Sequence, residues 1–171
     1  MIFVDVETGG IEPRINALLS IGAVSGKDKF YTEIKPANGF KVEQQALAVN
    51  GLYNYKEHEK TLNEGIQDFK DWVDSLDTTK IISGWNVQFD VEFLKVGFKY
   101  AAITYPFSFR IVDVHSVAYA VYPELRVNRL GNSKDGVAKF LNLPPEKKPH
   151  NALNGAIHVK QIYDEIQKDL A

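Results

Sequence analysis

The first ten residues constrain this chain more than any other stretch. Met1-Ile2-Phe3-Val4 is an apolar run that leads into Asp5-Val6-Glu7 and then into Thr8-Gly9-Gly10. An apolar run stopped by a glycine break predicts a buried strand, Met1–Asp5, with Asp5 and Glu7 at its tip. Residues i and i+2 of a strand share a face, so the two carboxylates converge on one point. There they repel each other unless a cation lies between them, and their oxygens suit a divalent metal. A capping aspartate beside a solvated glutamate would leave the same pattern, so the meaning of the pair depends on the rest of the chain.

Composition narrows the classes of function. A chain of 171 residues, 44% hydrophobic and 25% charged, fits one globular domain over residues 1–171 with a sizeable core. No apolar run approaches the roughly 18 residues of a membrane span, and the start lacks the basic and apolar regions of a secretory signal. A cytoplasmic location without a membrane partner is therefore expected. The absence of cysteine excludes disulfides, thiolate metal sites and a cysteine nucleophile. A net charge of −2 argues against coating nucleic acid by bulk electrostatics. The charge is nonetheless uneven: Arg126, Arg129, Lys134, Lys139, Lys147 and Lys148 make one basic segment in an otherwise acidic chain. That segment reads either as a solvated face or as a surface for phosphates.

Along the chain, Met1–Asp5, Ala17–Val24 and Lys29–Lys35 predict three strands in an antiparallel meander. A short helical piece at Val42–Val49 ends at Asn50-Gly51. Thr61-x-x-Glu64 is a capping box, followed by Leu62, Ile66, Phe69, Val73 and Leu76 at helical spacing. Lys80–Trp85 predicts a strand, Asn86 to Asp90 leads into a helix through Phe93, Leu94 and Phe98, and Phe109–Val112 predicts the last strand. Asp113 then opens a helix. Strand-helix-strand-helix at this spacing implies parallel pairing, so the sheet is mixed, with an antiparallel half and a parallel half. Short helical residues 133–141 precede a final helix with Ala152, Ala156, Val159, Tyr163, Ile166 and Leu170 on one stripe.

Acidic residues thus stand at two strand ends, Asp5 with Glu7 and then Asp90, and His150 stands at the mouth of the last helix. Strand ends at a switch in strand order form the usual crevice of an open α/β sheet. Carboxylates holding divalent ions, with a histidine able to accept a proton near neutrality, suggest metal-assisted hydrolysis of a phosphodiester.

The order Asp5-x-Glu7-Thr8-x-Gly10, then Asn86-x-x-Phe89-Asp90, then His150 ahead of a helix resembles the DEDD 3′–5′ exonucleases of the histidine subclass. Further similarities span nearly the whole chain, at residues 17–24, 46–51, 112–113 and 130–143. The resemblance implies an α/β, ribonuclease H-like fold with a mixed five-stranded sheet and flanking helices. It implies removal of nucleoside 5′-monophosphates from the 3′ end of single-stranded DNA or RNA, using Mg²⁺ or Mn²⁺ at two sites. By the same resemblance Asp5, Glu7 and Asp90 are metal ligands and His150 is the general base. Thr8, Gly9, Gly10, Leu47, Asn50, Asn86 and Phe89 are expected near the terminal nucleotide. Members of the subclass work with a polymerase or as homodimers, and either partner fits.

One position departs from the pattern. The family's last acidic ligand stands five residues after the histidine, and here that residue is Gly155, with Asn154 beside it. Three readings are open: Asn154 and a water serve as weaker ligands, an acid from elsewhere such as Asp135 or Glu146 reaches the site, or the domain binds ends without efficient cleavage. For an active enzyme, Gly155→Asp is expected to raise activity, and no gain in a correctly folded variant would mean that the fourth ligand is supplied elsewhere.

Overall fold

The computed structural model describes residues 1–127, 133–147 and 151–170. Strands β1 (Ile2–Thr8), β2 (Leu18–Ser25) and β3 (Asp28–Glu33) form the antiparallel meander. Strands β4 (Ile82–Gly84) and β5 (Ile111–Asp113) add the parallel half, giving the order β3-β2-β1-β4-β5. The helices are α1 (Gln44–Asn50), α2 (Leu62–Ser75), α3 (Gln88–Tyr100), α4 (Val114–Val121), α5 (Glu124–Val127), α6 (Lys134–Phe140) and α7 (Ala152–Leu170). Among the described residues, no helix is long and apolar enough to cross a membrane.

Alternation along β1 divides the core. Ile2, Val4 and Val6 pack with Ile66, Phe69, Val73, Leu94 and Phe98 of α2 and α3 on one side of the sheet. Phe3 points to the other side, with Val159, Ile162 and Ile166 of α7. Asp5 and Glu7 come after Phe3 in the same alternation, so both lie on the face that α7 covers. The capping box at the start of α2 is present, with Thr61 Oγ1 accepting from the Glu64 amide and Glu64 accepting from the Thr61 amide.

Two glycines let α7 settle directly on the sheet. Gly22 pairs with Asp5 across β1 and β2, and a Cβ there would stand 2.1 Å from the backbone of Ala152 and Leu153. A Cβ on Gly155 would stand 2.3 Å from Oδ2 of Asp5. The first turn of the last helix therefore rests on the strand pair beside Asp5.

Several boundaries differ from the sequence reading. Strand β1 continues to Thr8, so Asp5 and Glu7 are ladder residues paired with Gly22 and Ser20 rather than a tip. Pairing with β2 supplies the backbone partners that carry the strand past its apolar run. Periodicity does not predict helix α5. Phe109 lies outside β5 and is exposed, whereas Asp113 closes that strand and caps α4 by accepting from the Ser116 amide.

Candidate active site

β4 ends at Gly84, level with the start of β1, so the β4 side of β1 beyond Val4 has no strand to pair with. Asp90 meets that need. Its Oδ1 accepts a 2.9 Å hydrogen bond from the Val6 amide. Asp90 thus sits in the first turn of α3 rather than at a strand end, and it is buried. The chain reaches it through Asn86, which adopts a left-handed φ of 52°. That conformation suits asparagine better than most residues and bends the chain sharply from β4 into α3.

An open cavity of about 520 Å³ lies at this junction, lined by Asp5, Glu7, Asp90, Asn50, Asn86 and Phe89, with Val49, Trp85, Lys134 and Glu146. A neighbouring cavity of about 360 Å³ is lined by Thr8, Gly10, Ile11, Val49, Asn50 and Phe89 among others. Glu7, Val49, Asn50 and Phe89 border both, so the two form one continuous crevice.

The acids perturb one another. The Glu7 carboxyl is pushed up to about 8, by burial first and then by Asp5 and Glu146, while Lys134 pulls it down. Asp90 is raised well above the usual carboxylate range, by burial first and by the charge of Asp5 next, against the pull of the Val6 amide. A divalent cation would relieve this repulsion, and the all-oxygen donor set fits a hard ion such as magnesium or manganese in kind. As they stand, no three acidic or histidine side chains among the described residues are close enough to hold an ion. Binding therefore requires side-chain rotation toward a common point.

The other expected residues fall into three groups. Thr8, Gly10, Asn50, Asn86 and Phe89 line the crevice. Asn50 is also a structural tie, since its Nδ2 donates to the Thr8 carbonyl and its Oδ1 accepts from the Leu52 amide. Gly9 lines neither cavity; a Cβ there would meet the Lys41 carbonyl oxygen at 2.6 Å, so it serves the packing of the loop behind the site. Leu47 lines neither cavity. It is buried with Ala17, Leu19 and Leu52, and Val49, two residues on and 80% exposed, presents the apolar side chain to the crevice instead. His150 lies outside the described residues, as do Arg129 and Lys148 of the basic segment.

The region of the expected fourth acid is filled differently from any simple substitution. Asp5 Oδ2 occupies the space that a Cβ at position 155 would need. Asn154 turns its amide toward the Lys147 carbonyl, at 3.3 Å, and is not part of the cavity wall. Of the two alternative acids, Glu146 lines the cavity and Asp135 does not. Glu146 arrives paired with Lys134, at 2.7 Å. Sequence reasoning passes over Trp85, Val49 and Lys134 as cavity residues; the basic segment is the signal for Lys134, but it reads there as a surface for phosphates, whereas the side chain turns inward to Glu146.

Residues 1–167 match the family profile described as the 3′-5′ exoribonuclease Rv2179c-like domain. The chain is 28% identical to the 3′-5′ DNA exonuclease Cap18 of Escherichia coli, over 98% of this chain and 91% of that protein. Among solved structures, exonuclease I superposes with a TM-score of 0.82 at 17% identity, covering 98% of this chain but only 40% of exonuclease I. An E. coli exonuclease I has also been solved with zinc and single-stranded DNA. The nuclease domain of 3′hExo, a DEDDh family member bound to rAMP, superposes with a TM-score of 0.76 at 15% identity, covering 98% of this chain and 91% of that domain. The shared architecture is the ribonuclease H-like exonuclease fold.

Proposed function

This chain belongs to the family of 3′-5′ exoribonuclease Rv2179c-like domains, and on that premise we propose that it removes nucleoside 5′-monophosphates from the 3′ end of single-stranded nucleic acid as one domain over residues 1–171. The observation that carries the proposal is that Asp5, Glu7 and Asp90 line one cavity, continuous with an apolar-edged crevice of about 360 Å³. Asp5, Glu7 and Asp90 would hold a divalent cation, Mg²⁺ or Mn²⁺, which when bound polarises a phosphodiester and lowers the pKa of water.

The chain's own groups do the rest. Phe89, 39% exposed, and Val49 offer apolar surface to the terminal base. Thr8 and Gly10 border the sugar, with the Thr8 hydroxyl already donating to the Gly10 carbonyl at 2.7 Å and so fixing the loop's shape. His150, directly ahead of α7 in sequence, takes the proton from the attacking water.

A second reading, an end-binding module without efficient cleavage, draws on Gly155: the fourth carboxylate is missing, and Asp5 fills its space. The experiment that separates the two is hydrolysis of matched single-stranded RNA and DNA oligonucleotides with Mg²⁺ or Mn²⁺, by the parent and by Asp5→Asn. Stepwise, metal-dependent shortening that the variant loses by about a thousandfold supports the enzyme and reveals the sugar preference. Retention of the oligonucleotides without shortening supports the binding module.

A further inference from the structure

Among the described residues that line the cavity, Lys134 alone carries a charge that opposes a metal ion. It is the first residue of α6, whose cap Ser133 accepts from the Gly136 amide. A cation in the first turn of a helix works against the helix dipole, and the Lys134 side chain is only 21% exposed. Burial likewise disfavours its ammonium, yet Asp5, Glu146 and Glu7 outweigh burial and hold its pKa above that of an ordinary lysine. Both the dipole and burial oppose this placement, and the carboxylates of the cavity offset them. Glu146, with a side chain 6% exposed, anchors the ammonium at 2.7 Å.

We infer that Lys134, anchored by Glu146, is a resident cation of the carboxylate cavity that takes the place of a second divalent ion and leaves a one-metal site. This rests on the reading of Asp5, Glu7 and Asp90 as metal ligands. The pair Lys134–Glu146 is neutral in itself, so Glu146 replaces the charge missing at Gly155 only for its own lysine. The acids left to a metal are the three from β1 and α3, and an ammonium among them repels a further dication at short range. Towards a bound nucleic acid, the same ammonium offers the phosphate a positive charge and hydrogen-bond donors.

The test is Mn²⁺ binding to the full chain, counted by electron paramagnetic resonance and by calorimetry, for the parent, Asp5→Asn, Lys134→Arg, Lys134→Met and the double variant Lys134→Met/Glu146→Gln. The double variant removes the lysine together with the carboxylate charge it pairs with, which protects the test if the single variant does not fold. The parent and Lys134→Arg are expected to bind one ion. Lys134→Met is expected to bind a second ion, or its first at least tenfold more tightly, and the double variant is expected to bind its first ion more tightly. Two ions in the parent, or unchanged stoichiometry and affinity when the lysine is removed, would overturn the inference while leaving the proposed activity standing. Binding that is indifferent to Asp5→Asn would remove the metal-ligand reading itself, and the inference with it. No ion in the parent but one in Lys134→Met would support the lysine as an occupant and count against a metal-dependent parent. No ion in any variant would overturn both.

Discussion

At Gly155, two side chains compete for one volume. Alanine is the better helix former by about 1 kcal/mol, but a Cβ at 2.3 Å from Asp5 Oδ2 and 3.3 Å from Asp5 Cβ forces the carboxylate aside, at roughly 1–3 kcal/mol. Gly155→Ala is therefore expected to lower stability by up to about 2 kcal/mol, by denaturant titration, and to reduce hydrolysis because Asp5 is displaced. Gly155→Asp carries the same Cβ, so the gain in activity expected from sequence alone appears only if Asp5 rotates away; a crystal structure of that variant would show the rotation. Glu7 makes a pH prediction. Its folded pKa of about 8 lies above its unfolded value, so the folded state holds the proton more tightly. Its contribution to stability is complete below about pH 4.5 and is lost as pH rises to about 8. In metal-free buffer the parent should lose melting temperature across that window relative to Glu7→Gln, whose profile should be flatter. The acids themselves were legible in sequence because their spacing is rigid. Leu47 and Val49 were not, since both are apolar and only the way α1 packs on Ala17, Leu19 and Leu52 decides which of them is buried.

Among the elements, β1 and α7 fix the site, and their closeness depends on Gly22. Adding a methyl group there meets helix backbone at 2.1 Å, which cannot rotate away as a side chain can. Gly22→Ala should cost about 3 kcal/mol or more and shift the start of α7 away from Asp5, measured by thermal unfolding and by loss of Mn²⁺ affinity in the folded fraction. The mixed sheet, its antiparallel half and its parallel half were readable from alternation and from strand-helix spacing. Strand lengths were not, because they depend on neighbours. β1 runs on to Thr8 through its pairing with β2, and β4 stops after three residues, which is why an acid from α3 rather than a strand partner satisfies the Val6 amide. No local pattern could announce that substitution. The capping box of α2, by contrast, is a local device and was visible as such.

For the molecule as a whole, a ligand that binds only the folded state adds stability by mass action. Mn²⁺ at a hundred times its dissociation constant should add about 2.7 kcal/mol, lost in Asp5→Asn, and differential scanning calorimetry would show it. The net charge of −2 gives no bulk attraction for nucleic acid, and Lys134 of the basic segment turns inward to Glu146. Binding of single-stranded oligonucleotides to the parent in the presence of a chelator, where metal-dependent cleavage is silent, should therefore weaken only shallowly with salt, with a log–log slope of about −1 to −2. Finally, the cavity joins residues from both ends of the sequence, Asp5 and Glu7 on β1 with Glu146 just ahead of α7, and Gly155 of α7 lies against Asp5. A refolding chain can form its meander and the hydrophobic layer under α2 and α3 before that closure, whereas the layer on the other face needs α7. The moment at which it first captures Mn²⁺ therefore dates the docking of α7, and a stopped-flow metal signal should lag behind the recovery of helical ellipticity rather than accompany it.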